Sequence, residues 1–381
     1  MPGGIIPVVC APTGRAAARL KALGVADAKT VHGFCYTLKG KASSGDPIFQ
    51  AVGALLVGRG RWIIIDEASM VGPDMATDLD AFRAQYDLRL VFVGDSFQLP
   101  PVVADEHSGF NIMSGSHFTS ATRKNLDEVH RQALGSPVLS FATAVRTGAA
   151  LPSGAGEGYV DMIGDVDNAA EAYLDMQKMG CPDVVAITWS NADRHKMNAS
   201  IRRMLGHTSR LPQPGEPLVS LVNAYTLGLM NGEVATVEEI VLRPVVPPPP
   251  GLEKFALPAD FFKAKPDEVR LRRADGTAVR ARLVTDWLGK EPVGQRRPFD
   301  GCKDLWDTGQ KNAIAVDWGY CLTAHRGQGS EWENVIVYVP GWAPRMGDFR
   351  RWLYTASTRA SKGLLLVHGS GIEHLFNRRA A

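Results

Sequence analysis

The sequence has 381 residues, of which 45% are hydrophobic and 22% are charged, as in an ordinary soluble globular protein of two or three domains. Its formal net charge of +2 is too small to indicate a nucleic-acid partner, so such binding would depend on locally placed arginines and lysines. There is no recognisable secretion signal, and no apolar run approaches the ~18 residues of a membrane span, which predicts a cytoplasmic protein.

The cysteines form no zinc-binding pattern. No two of them make a C-x-x-C pair, and none lies in a histidine-containing cluster with zinc-ligand spacing. We therefore expect reduced thiols at Cys10, Cys35, Cys181, Cys302 and Cys321.

Short, continuous apolar runs recur along the chain, and each is followed by a polar or glycine-containing turn. Such runs are typical of strands that are buried on both faces of a parallel sheet. They lie at Val8 to Cys10, Trp62 to Ile65, Leu90 to Val93, Val184 to Ile187, Ile314 to Val316, Val335 to Val339 and Leu364 to Val367. Helical stretches between them, such as Arg15 to Leu23 and Arg350 to Ala360, give the alternation of an α/β fold.

Residues 217–312 follow a different pattern. The segment Val269 to Leu283 alternates apolar and basic residues around Asp275-Gly276, a dipeptide that suits a tight hairpin turn with positive φ. The run Pro247 to Pro250 predicts a loop, because proline cannot donate a hydrogen bond to a strand ladder. We interpret this region as a small β-rich domain inserted into a second lobe of residues 136–216 and 313–381, after a first lobe of residues 1–135.

The arginines of the predicted hairpin allow two interpretations. They either line a path for a nucleic-acid backbone or form a solvated strand face, and we favour the solvated face because charge-rich strand faces usually are solvated. The residues concerned are Arg270, Arg272, Arg273, Arg280 and Arg282.

Two adjacent carboxylates follow the apolar run at residues 62–65. Asp66 and Glu67 would then lie at the carboxyl end of a buried strand, where open α/β sheets bind ligands. In a nucleotide-hydrolysing site, Asp66 would hold Mg²⁺ through its water shell, and Glu67 would polarise the water that attacks the γ-phosphate. The alternative is a strand that simply ends in solvated acids.

A second strand of the same type ends in Gly94-Asp95 and is followed by Gln98, Pro100 and Pro101. An amide at Gln98 can respond to the presence of the γ-phosphate and transmit that change to the rest of the protein. The two prolines by themselves could simply be loop residues, but the segment with all of these residues at fixed spacing is a much more specific signal than any one of them.

These strings resemble motifs II and III of superfamily one DNA helicases of the RecD and Dda type, and the remaining motifs follow in the family's order. Ala11 to Ala18 resembles motif Ia, Thr30 to Phe34 the next DNA-contact motif, and Val129 to Gln132 motif IV. Asn223 with Asn231 to Val234 resembles the entry to the family's SH3-like barrel, Leu322 to Glu331 motif V, and Tyr354 to Ala360 motif VI. The resemblance implies an α/β fold of two RecA-like parallel-sheet lobes with a small SH3-like β-barrel inserted in the second.

The resemblance also implies roles for single residues. ATP and Mg²⁺ would be the cofactors, with Asp66, Glu67 and Gln98 at the phosphates and Asp95, Gln328, Gly329 and Glu331 lining the nucleotide site. Guanidinium groups that stabilise charge on the γ-phosphate would come from Arg131 and Arg359. Single-stranded DNA would be contacted, mostly through its phosphates, by Pro12, Thr13, Arg15, Thr30, His32, Thr323 and His325.

The family's phosphate-binding loop, G-x-x-x-x-G-K-[ST], should precede motif Ia, but only ten residues precede Ala11 here, and the first lysine is Lys21. A start placed too late, a split protein whose other chain supplies the loop, and a remnant without hydrolysis all fit this observation.

We expect an ATP-dependent DNA helicase that translocates on single strands and opens duplex junctions in replication, recombination or repair. Its 5′-to-3′ polarity is implied by the resemblance alone. The alternative is an ATPase-silent module that binds single-stranded DNA, or one half of a split helicase. A nuclease is less well supported because no separate cluster of acids suggests its site. The stretch Lys39 to Arg61 fits a loop or a short hairpin, and it is also a candidate for a strand-separating pin.

Overall fold

The computed structural model describes residues 7–41, 47–51, 61–101, 110–114, 118, 121–126, 136–149, 151, 159–242, 266–290, 298, 302–303, 305, 309 and 311–369. The chain forms two units. The first draws on Met1–Gly164, Cys181–Trp189 and Ala324–Ala381, and the second on Asp165–Gly180 and Ser190–Thr323. Arg131, the rest of motif IV and the proline run lie outside the described residues.

The first unit contains a parallel four-stranded sheet near the start of the chain. Its strands are β1 (Val8–Ala11), β2 (Lys29–Thr30), β5 (Trp62–Ile65) and β6 (Arg89–Phe92), in the order β2-β1-β5-β6. Its helices are α1 (Gly14–Ala22), α2 (Val31–Cys35) and α3 (Pro73–Tyr86). The core forms because Ile63 and Ile65 of β5 pack with Leu79 and Phe82 of α3, and all four side chains are buried.

A two-stranded antiparallel sheet lies between β2 and β5 in the sequence. It consists of β3 (Tyr36–Lys41) and β4 (Pro47–Ala51). Of the two interpretations of the stretch from Lys39 onward, the hairpin is therefore the one that the structure supports.

A second parallel sheet in the first unit has the order β8-β15-β16-β7. These strands are β7 (Tyr159–Ile163), β8 (Val184–Thr188), β15 (Trp332–Val339) and β16 (Ala360–His368). The helices of this part of the unit are α4 (Pro137–Thr147), α7 (Ala324–Gly327) and α8 (Phe349–Ser357).

The second unit contains a closed barrel of five strands in the order β10-β11-β12-β13-β9. These strands are β9 (Pro217–Ser220), β10 (Val234–Leu242), β11 (Pro266–Arg273), β12 (Ala278–Val284) and β13 (Ala313–Trp318). The unit also holds helices α5 (Val166–Lys178) and α6 (Asn191–Met204) and strand β14 (Cys321–Thr323).

The predicted fold class is confirmed: the chain has two parallel sheets of the α/β type and a closed barrel whose strands fall between β8 and β15 in the sequence. The predicted hairpin is β11–β12, and Gly276 in its turn has φ +81°. The exact limits of the domains stay a prediction.

One predicted strand was assigned to the wrong sheet. We expected Ile314 to Val316 in a parallel sheet of the second lobe, but β13 belongs to the barrel, where it pairs parallel with β12 and antiparallel with β9. All six residues of β13 are buried. A barrel strand that is buried on both faces has the same continuous apolar pattern as a strand of a parallel sheet, so the sequence did not separate the two.

The barrel's basic hairpin is largely neutralised by its own neighbours. Arg270 and Arg272 both pair with Glu238 of β10, Arg273 pairs with Glu233 and Asp275, and Arg280 pairs with Glu268. These pairs support the interpretation of this face as a solvated strand surface. None of the described helices is long and apolar enough to span a membrane.

Candidate functional site

Asp66 and Glu67 lie at the carboxyl edge of the first sheet, immediately after β5. The turn is fixed by backbone hydrogen bonds, because Asp66 N donates to Cys10 O (2.9 Å) and Ala68 N donates to Val93 O (2.9 Å). Glu67 has φ +51° and ψ +38°, a left-handed conformation that is uncommon for a residue with a side chain and is often found at functional sites. Both carboxylates are half-buried, and neither is paired with a cation among the described residues.

Gly94, which follows β6, passes very close to this turn. A Cβ atom at position 94 would lie 2.9 Å from Ala68 N and 3.1 Å from Ser69 N. Because these are backbone atoms that cannot move aside, only glycine fits. The close approach brings the motif III loop against the motif II turn.

The motif III loop is joined to motif VI through Asp95. Its carboxylate accepts hydrogen bonds from Phe97 N (2.9 Å) and from the Tyr354 hydroxyl of α8 (2.5 Å), and it lies 3.6 Å from the Arg146 guanidinium. The Phe97 ring packs edge-on against Tyr354, with the ring centres 5.2 Å apart. Burial and Asp95 both raise the pKa of Tyr354, to about 12, so the hydroxyl stays protonated and donates at neutral pH.

Leu99 connects the same loop to motifs V and VI. Its N–H donates to Thr355 Oγ1 (2.9 Å) in motif VI, and its carbonyl accepts from Gln328 Nε2 (2.8 Å) in motif V. Gln98 beside it is buried, and its Oε1 has no hydrogen-bond partner among the described residues. A buried acceptor without a partner is costly, so Gln98 is ready to accept a hydrogen bond from a ligand or an ordered water.

Helix α1 reaches motif V through two arginines that are one turn apart. Arg15 Nη1 donates to Arg326 O (3.1 Å), and its guanidinium lies 5.0 Å from the centre of the Trp332 ring. Arg19 forms a 2.7 Å ion pair with Glu331. Between these contacts, Gly329 (φ +75°) brings the motif V loop against Ala16. Within motif V, Gln328 therefore contacts the motif III loop, whereas Gly329 and Glu331 contact α1.

Arg359 is completely buried behind motif V. Its guanidinium donates to Thr355 O (3.0 Å), Ser330 O (3.0 Å) and Thr358 Oγ1 (3.1 Å). Because the side chain is completely buried, none of these contacts places it at a phosphate, and its role at the γ-phosphate stays a prediction.

The predicted DNA contacts of the first sheet share one edge. Strands β1 and β2 are parallel neighbours, and the segments that leave them begin helices α1 and α2. Thr13 caps α1 by accepting from Ala16 N (3.2 Å), and Thr30 caps α2 by accepting from Gly33 N (2.9 Å). Pro12 lies just before the first cap and is half-buried.

Two histidines were also predicted to contact DNA. His32 is exposed on α2, whereas His325 on α7 is half-buried. Partial loss of solvent around each ring lowers the pKa of both, opposed by Asp78 at His32 and by Asp348 at His325. Both rings are therefore neutral at physiological pH and would serve as hydrogen-bonding groups rather than as cations. Thr323, in the second unit, is buried at the end of β14.

Sequence reasoning gave no role to Arg19, Tyr354 or Thr355. The i, i+4 spacing of Arg15 and Arg19 would have placed both side chains on one helix face. No local pattern marks the partners of Tyr354 and Thr355, which lie about 250 positions earlier in the chain.

Two protein-family models match the chain: one described as an AAA domain over residues 3–163, and one described as a UvrD-like helicase C-terminal domain over residues 319–367. The ATP-dependent RecD2 DNA helicase of Deinococcus radiodurans is 28% identical over 356 residues, which cover 92% of this chain and 41% of that protein. The chain thus spans about two fifths of this relative's length.

Solved structures of Pif1 helicases have a similar fold. One, of two coordinating Pif1 helicases on forked double-stranded DNA, has a TM-score of 0.56 at 18% identity and covers 96% of this chain and 82% of its own. Another, Bacteroides Pif1 with ADP-AlF3 and single-stranded DNA, has a TM-score of 0.54 at 18% identity, with coverages of 96% and 83%. The chain therefore matches an AAA domain and a UvrD-like helicase C-terminal domain over parts of its length, and it is similar in sequence to a RecD2 helicase and in fold to Pif1 helicases.

Proposed function

We propose that the chain is the motor core of a DNA helicase that couples ATP hydrolysis to movement along single-stranded DNA. The observation that carries this proposal is the double attachment of the motif III loop. Leu99 bonds to motif V and to motif VI, and Asp95 bonds to Tyr354. A change at the phosphates that moves this loop would therefore be transmitted directly to the second sheet.

The residues of the first sheet suit a nucleotide with Mg²⁺. Asp66 would hold the metal through water, Glu67 would orient the attacking water, and Gln98 would use its unpartnered amide oxygen to accept a hydrogen bond from that water. Bound ATP and Mg²⁺ would supply the phosphoryl group and the charge that neutralises it. The remaining proposed nucleotide contacts are Asp95, Gln328, Gly329, Glu331, Arg131 and Arg359.

Single-stranded DNA is the nucleic acid along which we propose that the protein moves. The capped starts of α1 and α2 present backbone N–H groups and hydroxyls at one edge, which suits contacts to phosphates without reading the sequence. Pro12, Thr13, Arg15, Thr30, His32, Thr323 and His325 are the proposed contacts. The same proposal includes duplex opening, movement with 5′-to-3′ polarity and a role in replication, recombination or repair. We also propose domain limits at residues 135, 217 and 312.

ATP hydrolysis with and without single-stranded DNA tests the proposal. We would measure it for the chain alone and for the chain joined to an upstream segment that carries G-x-x-x-x-G-K-[ST]. Single-stranded DNA should stimulate hydrolysis in at least one form. In that form, Glu67→Gln should lower turnover at least about a hundredfold because the attacking water loses its base, while single-strand affinity is retained.

The outcomes separate the alternatives. Turnover that appears only with the upstream segment would mean that a separate or preceding segment supplies the phosphate-binding loop. Single-strand binding without turnover in either form would favour an ATPase-silent DNA-binding module. Loss of both turnover and DNA binding in Glu67→Gln would count against the role assigned to Glu67.

A further inference from the structure

Four aromatic side chains meet at the carboxyl edge of the second sheet, away from the motifs used above. Trp189 follows β8 and Trp342 follows β15, two parallel neighbours whose ends share this edge. Phe349 and Trp352 lie on α8. The Trp189 ring centre is 5.0 Å from that of Trp352, 5.9 Å from that of Trp342 and 6.4 Å from that of Phe349.

The four rings differ in their exposure to solvent. Trp352 and Phe349 are buried and Trp189 is half-buried, whereas Trp342 is 41% exposed. The buried rings therefore form a base on which the indole of Trp342 is mounted edge-on, at 73° to Trp189. The exposed part of the Trp342 indole is therefore open to a flat ligand.

The segment that carries Trp342 is held by its own backbone. Ala343 N donates to Pro340 O (2.9 Å), Arg345 N to Trp342 O (3.1 Å) and Phe349 N to Met346 O (3.1 Å). These bonds form a short 3₁₀ turn that leads directly into α8. Because the ring is already positioned, little conformational freedom would be lost when a flat ligand stacks on it.

Charge and position favour nucleic acid as that ligand. Arg345 is exposed in the same turn and supplies a cation within a few residues of the ring. Helix α8, which begins just after this segment, contacts α7, the helix that carries His325 of motif V. The segment therefore borders a histidine that is itself a proposed DNA contact.

We propose that Trp342 is a stacking platform for a base of single-stranded DNA bound to this unit. This inference rests on the proposed function, since it needs a bound single strand, and it adds a contact outside the helicase motifs. Stacking on an aromatic face accepts every base, as a protein that moves along any sequence requires. Arg345 would lie beside the adjoining phosphate.

Binding to two fluorescent strands of equal length tests the proposal: oligothymidylate, and a strand of abasic sites that keeps the phosphates and lacks the bases. The proteins are the wild type, Trp342→Ala, Trp342→Phe, and Tyr225→Ala as a control that removes an exposed aromatic ring from the second unit. Trp342→Phe keeps a ring packed on Trp189 and guards against misfolding.

Trp342→Ala should bind oligothymidylate about fivefold or more weakly than the wild type, with unchanged affinity for the abasic strand. The affinity of Trp342→Phe for oligothymidylate should lie between those of the wild type and Trp342→Ala. Its tryptophan fluorescence should be quenched less than that of the wild type when the strand binds. Tyr225→Ala should match the wild type.

Equal affinities of wild type and Trp342→Ala for oligothymidylate would overturn the proposal and would favour a protein-binding role for this surface. An equal loss on both strands would also overturn it, because the effect would then not depend on bases. Failure of the wild type to bind either strand would instead refute the proposed function, on which the inference depends.

Discussion

The hydroxyl of Tyr36 holds together a small stack at the start of the proposed DNA edge. The Tyr36 ring stacks on His32, with centres 5.1 Å apart, and meets Phe82 edge-on. Its hydroxyl donates to Asp78 on α3. Burial and Asp78 raise the pKa of Tyr36, so the hydroxyl remains a donor across the physiological pH range. The exposed histidine is thus supported from α3 through one tyrosine.

Tyr36→Phe should reduce the free energy of unfolding by about 1–2 kcal/mol, because the partly buried carboxylate of Asp78 loses its donor while the ring is kept. Urea unfolding measures this change. The control is Asp80→Asn on the same helix, whose pair with Arg83 is about half exposed; it should change stability by less than about 1 kcal/mol. A Tyr36→Phe effect no larger than that of the control would show that the hydroxyl does not hold the stack.

At the scale of the elements, the parallel strands were predictable because strands buried on both faces carry continuous apolar runs. The runs at residues 62–65 and 184–187 became β5 and β8 almost residue for residue. The same argument wrongly assigned β13 to a parallel sheet, because burial on both faces does not distinguish a barrel strand from a strand of a parallel sheet.

The proposed nucleotide-binding edge was also predictable, in part. Asp66, Glu67 and Asp95 lie at strand ends, and parallel strands bring their carboxyl ends to one edge. The attachments of Asp95 to Tyr354 and of Leu99 to Thr355 were not predictable, because they join positions 259 and 256 residues apart. Only the folded chain shows that the motif III loop is held by both motifs V and VI.

Gly94→Ala should disturb the contact between motifs II and III. The added Cβ would meet Ala68 N at 2.9 Å, so the loop must shift or the turn must open, with a loss of about 1–3 kcal/mol in stability. DNA-stimulated ATP hydrolysis should fall more than single-strand affinity, because Glu67 and Gln98 flank this contact. Steady-state kinetics and strand binding on one preparation measure both effects.

Gly347→Ala is the matched control for this substitution, since nothing lies within 4 Å of its Cβ position. It should leave stability and hydrolysis unchanged. If Gly94→Ala also left both unchanged, the close approach of the two motifs would have no consequence for catalysis.

At the scale of the whole molecule, the second unit is held together by buried charges as well as by apolar packing. Arg194 of α6 pairs with Asp317 of β13 at 2.5 Å, and both side chains are at least 97% buried. Asp317 also accepts from Gly289 N and Trp318 N, both at 2.8 Å. Arg202, two turns further along α6, pairs with Glu216 and stacks on Trp318. Helix α6 is thereby fixed to the barrel at two points.

Arg194→Met should reduce the stability of this unit by about 3–5 kcal/mol, because Asp317 would remain buried without its cation. Arg203→Met on the same helix is the control, since its pair with Asp167 is largely exposed and contributes less than about 1 kcal/mol. Denaturant unfolding followed by far-UV circular dichroism measures both. Equal effects of the two substitutions would show that the buried pair does not fix α6 to the barrel.

The nucleotide edge proposed for the first sheet and the proposed DNA contacts should act as one coupled site through the motif III loop. The most direct measurement is single-strand affinity with and without Mg²⁺ and a non-hydrolysable ATP analogue, in the form of the chain that hydrolyses ATP. We predict a change of about tenfold, within the usual range for coupled sites. Binding curves that superimpose in the presence and absence of the analogue would contradict this account.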